Sequence, residues 1–287
     1  MKKILLAILS VVLSSLALAD PLLMHMGGKG SVQEKEMQSL GKQLQANGMR
    51  TEYFAPGNCV EPARLWNQAG TRPAILHYST TYANAELKDG KPCTANLAGA
   101  QIVMSKPTPN WLCGPTNPKP LNTPGLRMGI YSTAPGRDAV ADINRLNGLS
   151  WRHIPISSTT DGLVAVANGD IDYFLVARAG VGNRIETSQL KCMASTVRND
   201  RFPYIGTLFK STGDLETALT PVHVIMAKTL SADSLALLQR LLDPGKNPEF
   251  RAMLEFQNVQ IEPVKNNQQA LNDFQRRVKM LLETYKQ

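Results

Sequence analysis

The side chains of this sequence that could carry acid–base or metal chemistry are its four histidines. They are His25, His77, His153 and His223. Each lies inside or at the edge of a predicted strand, and neither an H-E-x-x-H pair nor a G-x-S-x-G elbow occurs. Asp170 and Asp172 follow Asn168-Gly169, a pattern typical of a turn rather than of a carboxylate dyad. The sequence therefore predicts no catalytic residues, no cofactor and no metal site, and we expect a protein that is not an enzyme.

Three loops carry the residue types that bind small anions. Residues 27–31 contain three glycines and a serine, while residues 132–136 and 157–160 are rich in hydroxyl groups. Each loop lies between a predicted strand and a predicted helix, where open α/β sheets place their ligands against helix N-termini. Hydroxyls and exposed N–H groups suit a carboxylate or another oxyanion, although the same serines and threonines are also typical helix caps. Neither a Walker A motif nor G-x-G-x-x-G is present, which argues against a nucleotide ligand.

The elements that would position these loops alternate between strand and helix. The first predicted strands span residues 22–26, 50–55 and 74–79. Two predicted helices separate them, and the first begins with a capping box formed by Ser31 and Glu34. This alternation is typical of a parallel sheet covered by helices. Residues 106–125 contain six of the eighteen prolines, which indicates a connector rather than a regular element.

After this connector the strand–helix alternation restarts. Predicted strands at 126–132, 151–156 and 171–177 alternate with helices, which predicts a second α/β lobe. The helices at the end of the chain must pack on a sheet, and we expect this to be the sheet of the first lobe. We therefore expect a discontinuous first lobe with the second lobe inserted into it. The predicted domains are residues 20–117 and 206–287 for lobe 1 and residues 118–205 for lobe 2.

The first 19 residues are typical of a secretory signal peptide. Lys2 and Lys3 precede an apolar run at residues 4–18, and Ala17-Leu18-Ala19 offers the small residues that cleavage requires. The run is shorter than the roughly 20 residues that span a bilayer, so a short membrane anchor is the less favoured alternative. We expect cleavage after Ala19 and a soluble protein in the periplasm.

The charge and the cysteine content are consistent with a periplasmic protein. The formal net charge is +8, and it becomes +6 when the two leader lysines are subtracted. The basic residues are scattered singly, which argues against a nucleic-acid partner. An even number of cysteines in an exported chain predicts two disulfides, and spacing alone leaves three connectivities open. The cysteines are Cys59, Cys93, Cys113 and Cys192.

Several segments together resemble the receptors of tripartite tricarboxylate transporters, which are Bug-type extracytoplasmic solute-binding proteins. GGKGSVQEKEMQSLGKQL looks like the first loop and helix of that family, and MGIYSTAPGR looks like the strand and loop that open its second lobe. DGLVAVANGDIDYFLV, LKCMASTVRNDRFPYIGTLFKST and residues 221–285 are similar to its later units. The resemblance covers most of the mature chain. It implies the type II periplasmic-binding-protein fold, an α/β fold whose two lobes close like a Venus flytrap.

The family resemblance also implies a function and a set of ligand contacts. The protein would capture a small organic acid and deliver it, as a monomer, to the membrane permease subunits of a secondary transporter. Lys29 would be a charge partner for the ligand. The implied ligand-binding residues are Gly28, Lys29, Ser31, Asn58, Tyr78, Ser79, Ser132, Thr133, Gly136 and Ser158. The same arrangement of lobes implies disulfides between Cys59 and Cys93 and between Cys113 and Cys192.

The chain departs from the family pattern in the loops that would choose the ligand. Ser31 stands where the family usually has an aspartate and Lys35 where it has an arginine, and residues 56–59 and 156–158 replace two loop motifs. Ligand identity therefore stays open. The alternative is a receptor of an ATP-driven importer, or of a sensor, for another small anion or an amino acid. A metal-capturing receptor would need several converging ligands, and only Tyr78 is well placed.

Overall fold

The structure is a computed structural model that describes residues 20–28, 30–55, 59–80, 93–131, 134–181, 189–198, 203–210, 215, 218–257, 259–261 and 263–284. Its named strands form two five-stranded sheets. The strands are β1 (Leu22–His25), β2 (Glu52–Phe54), β3 (Ala74–Ser79), β4 (Gln101–Pro107), β5 (Asn110–Gly114), β6 (Arg127–Tyr131), β7 (Arg152–Ile156), β8 (Tyr173–Ala177), β9 (Lys191–Ser195) and β10 (Val222–Lys228). The helices are α1 (Val32–Ala46), α2 (Val60–Gln68), α3 (Ala134–Asn147), α4 (Thr159–Ala167), α5 (Arg178–Val181), α6 (Ile205–Leu208), α7 (Ala232–Leu241), α8 (Pro248–Gln257) and α9 (Asn267–Thr284).

The first sheet has the strand order β2-β1-β3-β10-β4 and is covered on both faces. Strands β1, β2 and β3 are parallel, whereas β10 runs antiparallel to β3 and β4. Because successive side chains of a strand point to opposite faces, each face has its own apolar core. Met24 packs in one core with Trp66 of α2 and Phe274 of α9. Leu23 packs in the other core, with Met37 of α1 and with residues of α7 and α8.

The second sheet repeats this plan with the order β7-β6-β8-β5-β9. Strand β6 is parallel to β7 and β8, and β5 is antiparallel to β8 and β9. Tyr173 packs on one face with Ile143 of α3 and Ile205 of α6. Phe174, the next residue, packs on the opposite face with Leu163 of α4. The α/β fold with two sheets therefore agrees with the fold expected from the sequence.

The chain crosses between the sheets twice, and the two crossing segments lie side by side. The first crossing joins β4 to β5, and the return leads from Leu219 into β10. The N–H of Thr108 donates to the carbonyl oxygen of Pro221 at 2.8 Å. The Asn110 side-chain amide donates to the carbonyl oxygen of Leu219, also at 2.8 Å. The first lobe is thus discontinuous, as the sequence predicted.

The predicted boundaries of the lobes need correction at both crossings. Strand β5 is hydrogen-bonded to β8 and β9, so the chain enters the second lobe before residue 110 and not at 118. Phe209 and Leu219 pack in the core of the second sheet, so the return follows residue 219 and not 205. The sequence prediction missed β5 because Pro109 and Pro115 flank it closely. Its stability as a strand comes from pairing with distant neighbours rather than from local propensity.

Both expected disulfides are confirmed. Cys59, which precedes α2, is bonded to Cys93. Cys113 of β5 is bonded to Cys192 of β9, its partner in the strand register. Among the helices of the described residues, none has both the length and the hydropathy required to cross a bilayer.

Candidate ligand-binding site

The loop that follows β1 lies against the loop between β7 and α4. A Cβ atom placed on Gly28 would lie 3.8 Å from the carbonyl oxygen of Ser157, and one on Gly30 would lie 3.0 Å from Thr160 Oγ1. The structure therefore brings together two of the three loops singled out in the sequence, one from each sheet.

Hydrogen bonds within the first loop fix the N-terminus of α1. Ser31 Oγ accepts a hydrogen bond from the N–H of Glu34 at 3.1 Å, and the Glu34 carboxylate accepts one from the N–H of Gly30 at 2.6 Å. The predicted capping box is present in a shifted form, because the second donor is Gly30 rather than Ser31. Gly30 has φ of +79°, a conformation that glycine adopts without strain. The serine hydroxyl thus holds the loop in place.

The second loop is fixed in a similar way at the N-terminus of α4. Ser158 Oγ accepts a hydrogen bond from the N–H of Asp161 at 3.1 Å, and the Ser157 hydroxyl donates to the Asp161 carboxylate. These bonds, from Ser157 first and then Ser158, hold the pKa of Asp161 below its ordinary value. The earliest N–H groups of α1 and α4 have no acceptor within their own helices. Two helix N-termini therefore border the cleft between the loops, and each of them stabilises negative charge.

Two other residues implied by the resemblance end or nearly end β3. The ring of Tyr78 is buried 5.7 Å from that of Phe274, and its hydroxyl accepts a hydrogen bond from the N–H of Ala95 at 3.3 Å. Ser79 is fully buried and lies opposite His223 in the strand register. Tyr78 thus faces the apolar core shared with α9, while Ser79 lies on the other face at the carboxyl edge of the sheet.

The remaining implied residues are Gly136 and four residues that the structure does not describe. Gly136 lies in the first turn of α3 rather than in the preceding loop, because Pro135 is well tolerated in the first turn of a helix. Lys29, Asn58, Ser132 and Thr133 lie outside the described residues. Gly28, Ser31 and Ser158 are consequently the implied residues that the structure brings to the contact between the loops.

An arginine at this edge was not singled out in the sequence. Arg178 directly follows the carboxyl end of β8, which is parallel to β6, and its side chain is buried. Its guanidinium carbon lies 4.6 Å from the ring centre of Trp111 and 4.5 Å from that of Phe256. Trp111 belongs to the second sheet, whereas Phe256 belongs to α8 on the first. The position of Arg178 after a predicted parallel strand was the signal that could have identified it.

A buried polar network lies on the α1 side of the first sheet, near the same edge. Lys106 donates to Glu36 and to Gln257, and Gln257 Nε2 donates to Glu36 Oε1 at 2.7 Å. His77 Nε2 lies 3.6 Å from Glu36 Oε2, and the ring of His223 is 5.2 Å from that of His77. The network joins α1, β3, β4, β10 and α8, so it fixes the helix that carries the first loop.

Burial and charge give these groups unusual protonation equilibria. Burial lowers the pKa of His77 to about 4, and burial together with the charges of His77 and Lys106 lowers that of His223. Burial alone would raise the pKa of Glu36, but the charge of Lys106 and its hydrogen bonds outweigh burial, so this pKa is lowered. At neutral pH the network therefore contains one ion pair and neutral histidines.

Comparison with known proteins identifies the fold but not a sequence family. No protein-family model matches the chain, and no curated protein matches it in sequence. The solved structures that resemble it include the periplasmic binding protein BugD, with a TM-score of 0.71, 14% identity, and coverage of 93% of this chain and 96% of BugD.

Two further similar structures contain a bound acid. An R. palustris protein with adipate has a TM-score of 0.70 at 12% identity and covers 93% of this chain and 95% of its own. MatC from Rhodopseudomonas palustris with bound malate has a TM-score of 0.64 at 14% identity, with coverage of 91% and 98%. At these identities the likeness shows the fold, which is the two-lobed fold of type II periplasmic binding proteins.

Proposed function

We propose that the chain is a receptor that captures a small organic acid between its two lobes and catalyses no reaction. The contact between the loops at Gly28 and Ser157 carries this proposal. It places the N-termini of α1 and α4, which belong to different sheets, on one cleft. Because each N-terminus stabilises negative charge, an anion between them interacts favourably with both lobes and holds them together.

Other features support an anionic ligand. Arg178 supplies a buried positive charge at the carboxyl edge of the second sheet. The net charge of +6 after subtraction of the leader lysines favours the approach of anions. Adipate and malate are the acids bound by two proteins of the same fold. We therefore propose a carboxylate ligand that contacts backbone N–H groups and the side chains of the implied site, including Lys29.

The location and partners follow from the same proposal. The leader is removed after Ala19, and the mature receptor works in the periplasm, where two disulfides are stable. It acts as a monomer and releases the acid to the permease subunits of a secondary tripartite transporter.

Thermal-shift measurements on residues 20–287 test the ligand class. The panel contains adipate, malate, tricarboxylates, aromatic acids and amino acids, and it includes neutral sugars and the diamide of adipate as controls. We expect at least one organic acid to raise the melting temperature with a saturable concentration dependence, because ligand binding to the folded state stabilises it. A panel in which no organic acid raises the melting temperature, or in which only the sugars or the diamide do, would contradict a carboxylate receptor.

A further inference from the structure

In the described part of the chain, two short segments pass between the lobes, and each contains the same dipeptide. Thr108-Pro109 joins β4 to β5, and Thr220-Pro221 leads from the second lobe into β10. The two segments are neighbours, because the N–H of Thr108 donates to the carbonyl oxygen of Pro221 at 2.8 Å. We call these two Thr-Pro pairs the hinge.

Hydrogen bonds anchor the hinge to the first sheet. Val222 lies opposite Pro107 in the register of β10 and β4, and the bond from Thr108 to Pro221 continues this ladder by one step. The N–H of Val222 also donates to Thr80 Oγ1 at 3.1 Å, and Thr80 is a buried residue that directly follows β3. The first lobe therefore holds the chain as far as Thr108 and again from Pro221 onward.

A second set of hydrogen bonds anchors the hinge to the second lobe. The N–H of Asn110 donates to Thr196 Oγ1 at 3.0 Å, and the N–H of Thr196 donates to the carbonyl oxygen of Asn110 at 2.9 Å. The Asn110 side-chain amide donates to the carbonyl oxygen of Leu219 at 2.8 Å. The Thr220 hydroxyl donates to the carbonyl oxygen of Thr196 at 3.3 Å. The second lobe therefore holds the chain from Asn110 onward and as far as Thr220.

Little backbone is left between the two sets of anchors. In the first segment only Pro109 separates Thr108 from Asn110. In the second segment Pro221 follows Thr220 directly. A proline ring fixes its own φ at about −65° and restricts the preceding residue to extended conformations. A change in the angle between the lobes must therefore be shared among the few backbone torsions that remain free, so the prolines narrow the range of that angle.

We propose that Pro109 and Pro221 are positioning residues for ligand capture, because they limit how far the two lobes open. The inference rests on the proposed function, in which an acid is held between the N-termini of α1 and α4. A limited opening keeps these N-termini near their closed separation before the acid arrives. Fewer open arrangements are then lost on closure, so the two prolines increase the affinity for the acid.

Small-angle X-ray scattering of the ligand-free protein tests the limit on opening. The hinge variant Pro109→Gly/Pro221→Gly frees rotation at both crossings, and Pro120→Gly/Pro124→Gly changes two exposed prolines as the matched control. We expect the hinge variant to have a larger radius of gyration than the wild type, and the control to match the wild type. Because Pro109 is buried, Pro221→Gly alone is the variant that disturbs packing less, and it should show a smaller increase. Equal radii in the wild type and in both hinge-site variants overturn the proposal.

Calorimetric titration with the acid that raises the melting temperature most tests the effect on capture. Each change from proline to glycine should raise the dissociation constant about two- to fivefold, the factor that corresponds to the backbone freedom one proline removes. With saturating acid the hinge variant should return to the radius of gyration of the acid-bound wild type, which a protein with loosened packing would not do. An unchanged dissociation constant, or a larger radius that persists with the acid bound, overturns the proposal.

The two experiments separate this inference from the proposed function. A wild type that binds no organic acid refutes the proposed function. The comparison of ligand-free proteins needs no acid, so it still decides whether the prolines limit the opening of the lobes.

Discussion

Arg178 and Phe256 form a contact between the lobes, with the guanidinium carbon 4.5 Å from the centre of the phenyl ring. Arg178 follows the last parallel strand of the second sheet, and Phe256 lies in the last turn of α8 on the first. Trp111 stacks on the arginine from within its own sheet at 4.6 Å. Together with the approach of Gly28 to Ser157, this contact gives the cleft two points at which the lobes touch.

The contact between Arg178 and Phe256 predicts a loss of affinity when the ring is removed. Phe256→Ala eliminates a cation–π interaction of about 0.5–2 kcal/mol that joins the two lobes. We therefore expect the dissociation constant for the organic acid to rise roughly two- to thirtyfold in isothermal titration calorimetry. Phe256→Tyr should bind almost like the wild type, as should the surface variant Leu208→Ala. An unchanged affinity in Phe256→Ala would show that this contact does not contribute to closure.

The position of Gly28 between the two loops predicts that affinity for the acid depends on the size of the side chain at this position. A Cβ atom there meets the Ser157 carbonyl oxygen at 3.8 Å, an ordinary van der Waals separation, so Gly28→Ala should retain binding. Gly28→Trp cannot fit between the two loops and should abolish calorimetric binding of the acid. Both variants should keep the circular dichroism spectrum of the wild type. Equal affinities in the alanine and tryptophan variants would contradict the position of the cleft.

The buried histidines predict a loss of stability in mild acid. His25, His77 and His223 have pKa values lowered by burial from about 6.5, so the unfolded chain binds protons that the folded chain does not. The free energy of unfolding should therefore fall as the pH drops below about 6.5, with a slope of up to about 1.4 kcal/mol per pH unit for each histidine. For His77 the loss continues down to a pH of about 4.

Glu36 adds to this loss at lower pH. The pKa of Glu36 is lower in the folded protein than in the unfolded chain. Its contribution to the free energy of unfolding is therefore complete at a pH above the unfolded-state pKa, and it is lost as the pH falls toward the folded-state pKa. Urea denaturation between pH 4 and pH 7 measures the total slope. His223→Asn should give a shallower slope than the wild type, whereas His153→Asn on β7 serves as the matched control. Identical slopes in the wild type and in His223→Asn would contradict a buried neutral His223.

The disulfide between Cys59 and Cys93 predicts a sensitivity to reduction. It closes a sequence separation of 34 residues, and loss of such a bond costs about 2–5 kcal/mol of unfolding free energy. The double variant Cys59→Ser/Cys93→Ser should unfold at a lower urea concentration than the wild type. Reductant should lower the stability of this double variant further only by breaking the remaining disulfide, Cys113–Cys192. An unchanged midpoint in the double variant would mean that the bond does not stabilise the first lobe.

Local sequence signals were sufficient for much of this fold. Alternating strands and helices, the serine cap at Ser31 and the glycines beside it were all readable because they depend on neighbouring residues. The same is true of the loop that ends at Ser158. These signals singled out three loops, and the structure brings two of them into contact.

The features that the sequence did not reveal depend on distant partners. Strand β5 lies between Pro109 and Pro115 and becomes a strand only by pairing with β8 and β9. The stacking of Arg178 on Phe256 and the ion pair between Glu36 and Lys106 each join residues at least 70 positions apart. Such pairs carry no local pattern, so only the folded structure could reveal them.

Small-angle X-ray scattering with and without the most stabilising organic acid tests the central claim most directly. If the acid is held between the lobes, saturating ligand should reduce the radius of gyration of the mature wild-type chain, and Gly28→Trp should show no reduction. A wild-type protein that binds the acid without any change in its radius of gyration, or that binds no organic acid at all, would contradict capture between two closing lobes.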